Sequence, residues 1–374
     1  MVRFLHTADF HLGREFEQLR EWGAVRQEDL RTTFRRTVDL ALKKSVDLYL
    51  VAGDLFDTLH PAAREVELVR EGFEKLVGAG VRVFVIPGNH DPYLPEGVWE
   101  KSLAGLAPGV HVFGEPEFGV VDLPALGVSV VGRPYDRDRA TDRLLESFSA
   151  EIRQPLSLLL FHGSLEGPGA EYKDHPFSSE ELRSLPVDYV ALGHYHGYRA
   201  VLEQGKPLAY YPGTPEGLQW DERSAGSRYV LYGEMKTDGT VRVKPIEVQT
   251  RVVELWSVDV GVYPSPGSLE TAIRERSGRE RLLKIELKGS PTLELLDFLE
   301  GLEDRFRDRF GYLRVEHDGV EVVKDLVLDS GYVVGRFARK LLDRIEKADD
   351  PEEKRILRMA LNFGVQALRG TGGS

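Results

Sequence analysis

The feature that most constrains the fold is an alternation of short apolar strands with helical stretches, from the first residues to about residue 195. Six segments rich in Val and Leu are typical of buried strands: Val2–Leu5, Val46–Ala52, Val81–Ile86, Val128–Val131, Ser157–Phe161 and Val187–Leu192. Glu28–Lys44 and Ala62–Val77 have helical patterns. The alternation predicts an α/β domain in which helices cover layered sheets. The strand-like stretch from Leu208 to Val253 is expected to close the same domain.

Polar clusters follow five of these predicted strands, each at its carboxyl end. They are Asp9-Phe10-His11, Gly53-Asp54-Leu55-Phe56-Asp57, Gly88-Asn89-His90-Asp91, His162-Gly163 and Gly193-His194-Tyr195-His196. In α/β sheets, ligand sites form outside the carboxyl ends of strands, where loops converge. Five of the ten histidines stand in these clusters, which core packing does not readily explain. We therefore expect the clusters to meet in one site.

The residue types in the clusters indicate a metal site. Imidazoles, carboxylates, one Asn amide and no thiol suit borderline-hard divalent ions such as Mn, Fe, Zn or Co. Asp9 and His11 are two residues apart and are expected to point to the same side of an extended segment, as are His194 and His196. The donors are too many for one tetrahedral site. They favour two metals about 3.5–4 Å apart that share one carboxylate.

Composition narrows the class of protein. The chain has 374 residues, of which 41% are hydrophobic and 29% charged, as in globular proteins. It has no cysteine, which excludes thiolate metal sites and disulfides. No apolar run approaches the roughly 20 residues of a membrane span, and a strand-like segment opens the chain, so we expect a cytoplasmic protein that does not bind membranes. The net charge of −12 argues against a generic polyanion binder, but bound cations would supply positive charge locally.

The pattern divides the chain into three parts. Residues 1–250 form the α/β domain, residues 251–330 have the pattern of a small α+β module, and residues 331–370 are predicted to form amphipathic helices. The apolar stripe of the first of these helices consists of Val334, Phe337, Ala338, Leu341, Leu342 and Ile345. Asp350 predicts the start of a second helix. Residues 331–374 contain nine Lys and Arg against six Asp and Glu, so this end of the chain is basic.

In their order the clusters match the motifs D-x-H, G-D-x-x-D, G-N-H-D, H and G-H-x-H, and the chain resembles the calcineurin-like metallophosphoesterases. Within that superfamily it is most similar to the Mre11/SbcD nucleases. The residues that carry this likeness are His6–Gly13, Arg26 with Asp29 and Phe34, Val51–Asp57, Phe161–Gly163, Tyr189–His196 and Tyr211–Glu216. The likeness implies a layered β-sandwich flanked by helices, a DNA-binding α+β cap domain at 251–330 and C-terminal helices at 331–370.

The resemblance also implies a ligand set. One metal would be bound by Asp9, His11, Asp54 and His196, and the second by Asp54, Asn89, His162 and His194. Asp54 would bridge the two ions, which are expected to be Mn²⁺, and a hydroxide between them would attack the phosphorus. His90 is expected to assist the leaving oxygen and the transition state, with Asp91 orienting its ring.

The function implied by the resemblance is that of a DNA nuclease in double-strand break repair, with exonuclease and single-strand endonuclease activity. The implied partners are DNA, a second copy of the chain in a homodimer, and a Rad50/SbcC-like ATPase that docks on the C-terminal helices; the alternative for these helices is that they pack only on their own domain. Two alternatives stay open. One is a phosphoesterase for a small nucleotide or lipid-linked substrate with the same metal centre. The other is a non-enzymatic scaffold, which is disfavoured because every metal ligand is present.

Several other polar residues have simpler interpretations. Arg26 and Asp29 are expected to form a structural pair on a helix. His6 is expected to support a metal ligand from behind or to lie in the core, and not to bind metal itself. Four histidines in polar surroundings are expected at the surface or in loops: His60, His111, His175 and His317. Asp57 stays open between a helix cap, a group that orients a ligand and a substrate contact. Tyr195 stays open between base stacking and ordinary packing.

Overall fold

The structure of the chain is a computed structural model. It describes residues 1–19, 22–167, 173–289, 301–320 and 333–348, together with residues 291, 295, 298, 299, 350, 353, 354, 356, 357, 360, 361 and 364. The chain divides into two compact units, Met1–Val252 and Val253–Ser374. No helix within the described residues is both long enough and apolar enough to span a bilayer.

Two sheets form the framework of the first unit. Its strands are β1 (Val2–Thr7), β2 (Leu48–Ala52), β3 (Arg82–Ile86), β4 (Val110–Val112), β5 (Gly119–Leu123), β6 (Val128–Gly132), β7 (Leu156–His162), β8 (Tyr189–Gly193), β9 (Arg199–Leu202), β10 (Leu208–Tyr211), β11 (Tyr229–Met235) and β12 (Val241–Glu247). The first sheet has the order β12-β11-β1-β2-β3-β4, and the second has the order β5-β6-β7-β8-β10-β9.

The central strands of both sheets run parallel. In the first sheet, β1, β2, β3 and β4 pair in parallel, and in the second sheet β6, β7, β8 and β10 do so. The flanking strands β11, β12, β5 and β9 pair antiparallel. The carboxyl ends of the parallel strands therefore meet at one edge of each sheet.

The two sheets pack face to face around a common core. Phe4, Leu50 and Ile86 from the first sheet share this core with Leu158 and Leu160 from the second. The central strands β2, β6, β7 and β8 are buried at every residue, as expected for parallel strands that are covered on both faces. The predicted β-sandwich is confirmed.

Helices cover the outer faces of the sandwich. They are α1 (Trp22–Lys43), α2 (Ala63–Gly78) and α3 (Ser179–Ser184), and short 3₁₀ or π turns lie at Glu17–Leu19, Val98–Ser102, Arg137–Arg139 and Leu144–Ser147. The ring of Phe73 on α2 lies 6.3 Å from that of Phe34 on α1 and 6.4 Å from that of Tyr49 on β2. On the other side, Leu182 of α3 packs with Leu159 of β7. The predicted flanking helices are thus present on both faces.

The second unit is an α+β module. Its sheet has the order β13-β14-β15, formed by β13 (Val252–Asp259), β14 (Gly278–Gly289) and β15 (Phe310–Val320). Its helices are α4 (Pro266–Glu275), α5 (Leu302–Phe306) and α6 (Val333–Lys347), with 3₁₀ turns at Val260–Val262 and Arg307–Arg309. Leu269, Leu283 and Leu313 belong to its buried core. The second C-terminal helix, predicted to begin near Asp350, lies mostly outside the described residues.

A buried ion-pair network ties α1 to the segment that follows β10. The Arg26 guanidinium donates to the carboxylates of Asp29 at 2.6 Å and Glu216 at 3.1 Å, and to the carbonyl of Gly217 at 2.6 Å. The backbone N–H of Thr250 also donates to Glu216, at 2.6 Å. The structural interpretation of the Arg26–Asp29 pair is therefore confirmed.

Replacing Arg26 by Met should destabilise the first unit by about 3–5 kcal/mol, because it leaves the buried carboxylate of Glu216 without its cation, whereas Asp29 keeps Arg251 at 2.9 Å. The control is Lys75→Met, since Lys75 pairs with Asp39 at the surface and an exposed pair contributes about 1 kcal/mol or less. Urea unfolding followed by circular dichroism measures both changes. Equal effects of the two substitutions would contradict the assignment of Arg26.

Candidate metal centre

Three of the polar clusters lie at one edge of the first sheet. Asp9 and His11 follow the end of β1, Asp54 follows β2, and Asn89 follows β3. These three strands are parallel neighbours, so their carboxyl ends point the same way. The N–H of Asp9 donates to the carbonyl of Gly53 at 3.0 Å, and the N–H of His11 donates to the carbonyl of Asp54 at 3.0 Å. The first two clusters are thereby fixed to each other through the backbone.

The second sheet delivers the remaining clusters to the same place. His162 ends β7, and His194 follows β8. The Nδ1 of His162 donates to the carbonyl of Ala52, at the end of β2 in the first sheet, at 2.9 Å. The N–H of His194 donates to both oxygens of Asp9, at 3.0 and 3.1 Å. These contacts join the carboxyl edges of the two sheets.

The backbone at the centre is strained. Asp9, His11 and Asp54 have φ angles of 53°, 50° and 50°, and His194 has a φ of 110°. Such values are uncommon for residues other than glycine, and they cluster at functional sites. The expectation that Asp9 and His11 share one side of an extended segment is therefore wrong. Both side chains reach the centre because left-handed turns, and not strand alternation, direct them there.

Two groups of donor atoms meet around Asp54. On one side, Nε2 of His11 lies 3.2 Å from Nε2 of His196 and 3.8 Å from Oδ2 of Asp54. On the other side, the same Oδ2 lies 3.5 Å from Nε2 of His162. The Oδ1 of Asn89 lies 2.9 Å from that nitrogen. Asp54 thus faces both groups, in the position expected of a shared carboxylate.

Asp9, His90 and His194 complete the surroundings of Asp54. Ligand atoms of Asp9, Asp54 and His162 lie within 4.8 Å of one another, and so do those of His11, Asp54 and His90. The Nδ1 of His194 lies 3.1 Å from Oδ1 of Asn89. Every residue predicted for the site is therefore near Asp54, but the Asp9 carboxylate is grouped with Asp54 and His162, and the group of His11 consists of His11, Asp54 and His90.

The imidazoles are held by the ring nitrogen that faces away from the centre. The Nδ1 of His11 donates to Oδ1 of Asp57 at 2.9 Å, and Nδ1 of His162 donates to a main-chain carbonyl. In each ring Nε2 is then the nitrogen that faces Asp54. Metal-binding histidines are nearly always supported in this way, with the outer N–H donated to a carboxylate or a carbonyl.

Charges around the buried Asp54 shift the pKa values of its neighbours. Burial opposes ionisation of Asp54, but His162, His11 and His90 outweigh it and hold the pKa of the carboxyl below its ordinary value. Burial lowers the pKa of His162, yet the carboxylates of Asp54 and Asp9 overcome this and raise it to about 9. Near neutral pH, His162 is therefore protonated beside the Asp54 carboxylate in the metal-free protein. Its positive charge lies where a metal ion would bind.

The protonation states of His194, His196 and Asp9 also favour a bound cation. Burial, reinforced by neighbouring imidazoles, lowers the pKa of His194 to about 4 and that of His196 to about 3, so both rings are neutral and keep a lone pair. Burial, together with the charge of Asp54, raises the pKa of Asp9 well above its ordinary value. A divalent ion would remove this repulsion, and the mixture of nitrogen and oxygen donors suits such an ion.

Asp91 does not have the role expected of it, and the contacts of Asp57 favour the alternative in which it orients a ligand. Asp91 is fully buried and accepts the N–H groups of Phe56 at 3.1 Å and Gly88 at 2.8 Å, so it fixes the loops and the expectation that it orients His90 is wrong. Asp57 lies beside His90 instead, with Nδ1 of His90 3.3 Å from its carbonyl oxygen and 3.8 Å from its Oδ1. Asp57 also does not cap α2, whose N-cap is Ala62.

The remaining polar residues are resolved by their contacts. His6 is buried, with Nδ1 2.9 Å from the Tyr189 hydroxyl and Nε2 3.1 Å from the Leu192 carbonyl, as expected for a core residue. Tyr195 donates to the Leu165 carbonyl at 2.8 Å. His175 lies in a loop, which was one of its two predicted positions, but it is not at the surface, because only 1% of the residue is exposed.

Asp174 and Tyr135 lie near the centre but outside all of its sequence motifs. The Tyr135 hydroxyl donates to Oδ1 of Asp174 at 2.6 Å, and Oδ2 of Asp174 lies 3.9 Å from Nε2 of His194. Asp174 stands in a loop well beyond β7, with no motif around it. No sequence signal short of the fold itself would have found it.

Comparison with known proteins gives consistent results. A family model described as calcineurin-like phosphoesterase matches residues 2–198. The DNA double-strand break repair protein Mre11 of Aeropyrum pernix is 33% identical over 76% of this chain and 68% of its own length. One component of the SbcCD nuclease of Bacillus subtilis is 27% identical over 59% and 63%. The metallophosphoesterase YhaO of Bacillus subtilis is 26% identical over 82% and 76%.

Adding a methyl group at Gly53 should disrupt the centre, because the Cβ would lie 2.1 Å from Nδ1 of His162. The matched control is Gly205→Ala, since Gly205 also has a positive φ but has open space around it. Both variants should lose about 1–2 kcal/mol of stability from the left-handed backbone. Only Gly53→Ala should also bind Mn²⁺ more weakly, by about tenfold or more. Equal Mn²⁺ affinities of the two variants in calorimetric titrations would contradict this geometry.

The metal-free protein should become less stable as the pH rises from 6.5 to 9. The pKa of His162 is about 9 in the folded chain against 6.5 as its ordinary value, and that of Asp91 is raised to about 8 by burial and by Asp54. Both groups hold protons that the unfolded chain releases, so their stabilisation is lost as the pH rises through these values. Urea unfolding in EDTA measures the change, and His162→Gln should flatten it. A stability that rises over this range would contradict the proton-holding site.

Proposed function

The chain belongs to the calcineurin-like phosphoesterase family, and we propose that it is a two-metal DNA nuclease that acts in double-strand break repair. Family membership makes it a metal-dependent phosphoesterase. The observation that carries the proposal is the convergence of buried and half-buried imidazole, amide and carboxylate donors on Asp54, which faces both His11 and His162. A single cation would leave part of this donor set unused.

We assign the donors to two ions. The first would be bound by Asp9, His11, Asp54 and His196, and the second by Asp54, Asn89, His162 and His194. Mn²⁺ is the proposed ion, since nitrogen and oxygen donors without thiolates suit it. When bound, such ions lower the pKa of water towards about 7 and neutralise the charge that develops on a phosphodiester.

His90 is proposed to act on the leaving oxygen. Its side chain is 39% exposed, in contrast to the buried imidazoles of His11 and His162. Its Nδ1 lies near the Asp57 carbonyl, which accepts the proton on that nitrogen and leaves Nε2 to the substrate. A protonated imidazole in this position would donate to the leaving oxygen and offset the charge of the transition state.

DNA as the substrate is supported by the relatives. The Mre11 protein of Aeropyrum pernix is a DNA double-strand break repair protein, and the matched SbcCD component of Bacillus subtilis belongs to a nuclease. We propose exonuclease and single-strand endonuclease activity for this chain. The exposure of His90 supports a large substrate, because an open site accommodates a strand that extends beyond the cleaved bond.

The proposed partners follow from the same relatives. Residues 251–330 would hold DNA, and the helices within 331–370 would dock a Rad50/SbcC-like ATPase. On α6, Leu341, Leu342 and Ile345 pack partly against Ala338 and Leu361 of this chain, and the exposed basic residues of the helix support such a docking surface. The domain boundaries, the homodimer and a cytoplasmic location stay predictions.

A cleavage panel tests the proposed substrate. Linear duplex DNA, single-stranded circles and a chromogenic phosphodiester are each incubated with the full chain and with Mn²⁺, Mg²⁺ or EDTA. We expect Mn²⁺-dependent cleavage of duplex ends and circles, and none in EDTA. Turnover of the chromogenic diester without any cleavage of DNA would contradict the nuclease and would favour the small nucleotide or lipid-linked substrate.

Replacing His90 by Asn should lower turnover by about 10²–10⁴-fold, because it removes general acid assistance, while Mn²⁺ binding is retained. The control is His60→Asn, which changes an exposed histidine and should leave turnover unchanged. Stopped assays on duplex DNA give the rates, and calorimetric titration gives the Mn²⁺ affinity. Cleavage by His90→Asn at the wild-type rate would remove this role from His90.

A further inference from the structure

The imidazoles of the centre differ in what supports their outer nitrogen. His11 is supported by Asp57 at 2.9 Å, and His162 by the Ala52 carbonyl at 2.9 Å. His194 is turned the other way. Its Nδ1 faces Asn89, so its outer nitrogen is Nε2, and a group that accepts a proton from Nε2 is needed to fix this ring.

Asp174 stands where that group is needed. Its Oδ2 lies 3.9 Å from Nε2 of His194. This separation is too long for a direct hydrogen bond, but one bridging water or a small rotation of the carboxylate closes it. The other carboxylate oxygen is held by the hydroxyl of Tyr135 at 2.6 Å. A single carboxylate is thus fixed by Tyr135 on one side and faces His194 on the other.

The loop around Asp174 is held in a strained conformation. Asp174 and His175 have φ angles of 60° and 52°, which cost free energy and persist only when surrounding contacts enforce them. The N–H of Ser164 donates to the carbonyl of Asp174 at 2.9 Å, and the N–H of His175 donates to the carbonyl of Ala140 at 2.6 Å. The ring of His175 also packs against that of Tyr135 at 4.6 Å. The strain accompanies a carboxylate that faces the centre.

We propose that Asp174 is a positioning residue that keeps the proton of His194 on Nε2 and so leaves the Nδ1 lone pair directed at the metal centre. Tyr135 acts one step further out, because its hydroxyl orients the Asp174 carboxylate. The inference rests on the metal centre of the proposed function, but not on DNA as the substrate. Many metal-bound histidines donate their second N–H to a carboxylate. Removal of that carboxylate typically lowers the metal affinity of the site by about 10–100-fold.

The first test is spectroscopic and needs no metal. ¹⁵N-labelled histidine in the metal-free full chain reports which ring nitrogen of His194 carries the proton, and His194→Gln identifies the signals. The wild-type protein should show both forms, because Nδ1–H can donate to Oδ1 of Asn89 at 3.1 Å when no metal is bound, while Asp174 favours Nε2–H. Asp174→Ala should shift the ring towards Nδ1–H, since only Oδ1 of Asn89 then accepts a proton from it, and Asp174→Asn should do the same, because an amide can donate to Nε2.

The second test is a calorimetric titration with Mn²⁺. Asp174→Ala should weaken one of two binding events by about 10–100-fold and leave the other, which includes His11 and His196, unchanged. Tyr135→Phe should weaken the same event by a smaller factor, and Asp174→Glu should restore most of the affinity. The control is Asp142→Asn, since Asp142 pairs with Arg139 on the surface and should change neither event.

The outcomes separate this inference from the proposed function. Unchanged proton placement in Asp174→Ala, or unchanged affinities for both ions, would overturn it whatever the substrate. Failure of the wild-type chain to cleave DNA would leave both readouts intact. Circular dichroism checks that each variant folds. If Asp174→Ala does not fold, the proton placement and Mn²⁺ affinity of Tyr135→Phe test the inference instead, because this variant lacks only the hydroxyl. Wild-type values for Tyr135→Phe would then overturn the inference.

Discussion

The buried carboxylate of Asp54 is the group on which the centre depends. Its Oδ2 lies between the imidazoles of His11 and His162, and its Oδ1 accepts the backbone N–H of His90 at 2.9 Å. Its backbone has a φ of 50°. A Cβ at Gly88 would lie only 2.2 Å from Oδ1, so glycine is required there. A buried carboxylate is stable only when cations or hydrogen-bond donors surround it. The loops that follow β1, β3 and β7 provide such groups around Asp54.

The sandwich makes this arrangement possible. Parallel pairing brings the carboxyl ends of β1, β2 and β3 together in one sheet and those of β7 and β8 in the other. The hydrogen bond from His162 to the Ala52 carbonyl then joins the two edges. Outside the donors, Asp57 and Asp174 face the outer nitrogens of His11 and His194. Preorganisation of this type reduces the cost of gathering charged groups when ligands bind.

Strand periodicity and the polar clusters predicted most of the centre, because parallel strands necessarily deliver their ends to one edge. The parts that were missed depend on backbone geometry and long-range contacts. The left-handed turns at Asp9 and His11 are not encoded by a glycine, and loop packing decides that Asp57, and not Asp91, lies beside His90. Asp174 reaches His194 from a loop without a motif. Strand β4 (Val110–Val112) has only three residues, and His111 is one of them. It is therefore too short to show the apolar periodicity of a strand in the sequence.

The account requires two ions that share the Asp54 carboxylate, and electron paramagnetic resonance of the Mn²⁺-loaded chain tests this most directly. Two-metal centres hold their ions about 3.5–4 Å apart, so we predict two Mn²⁺ per chain with an exchange-coupled spectrum. In Asp54→Asn, the coupling should disappear. A single ion per chain, or two magnetically isolated ions in the wild-type protein, would contradict the account.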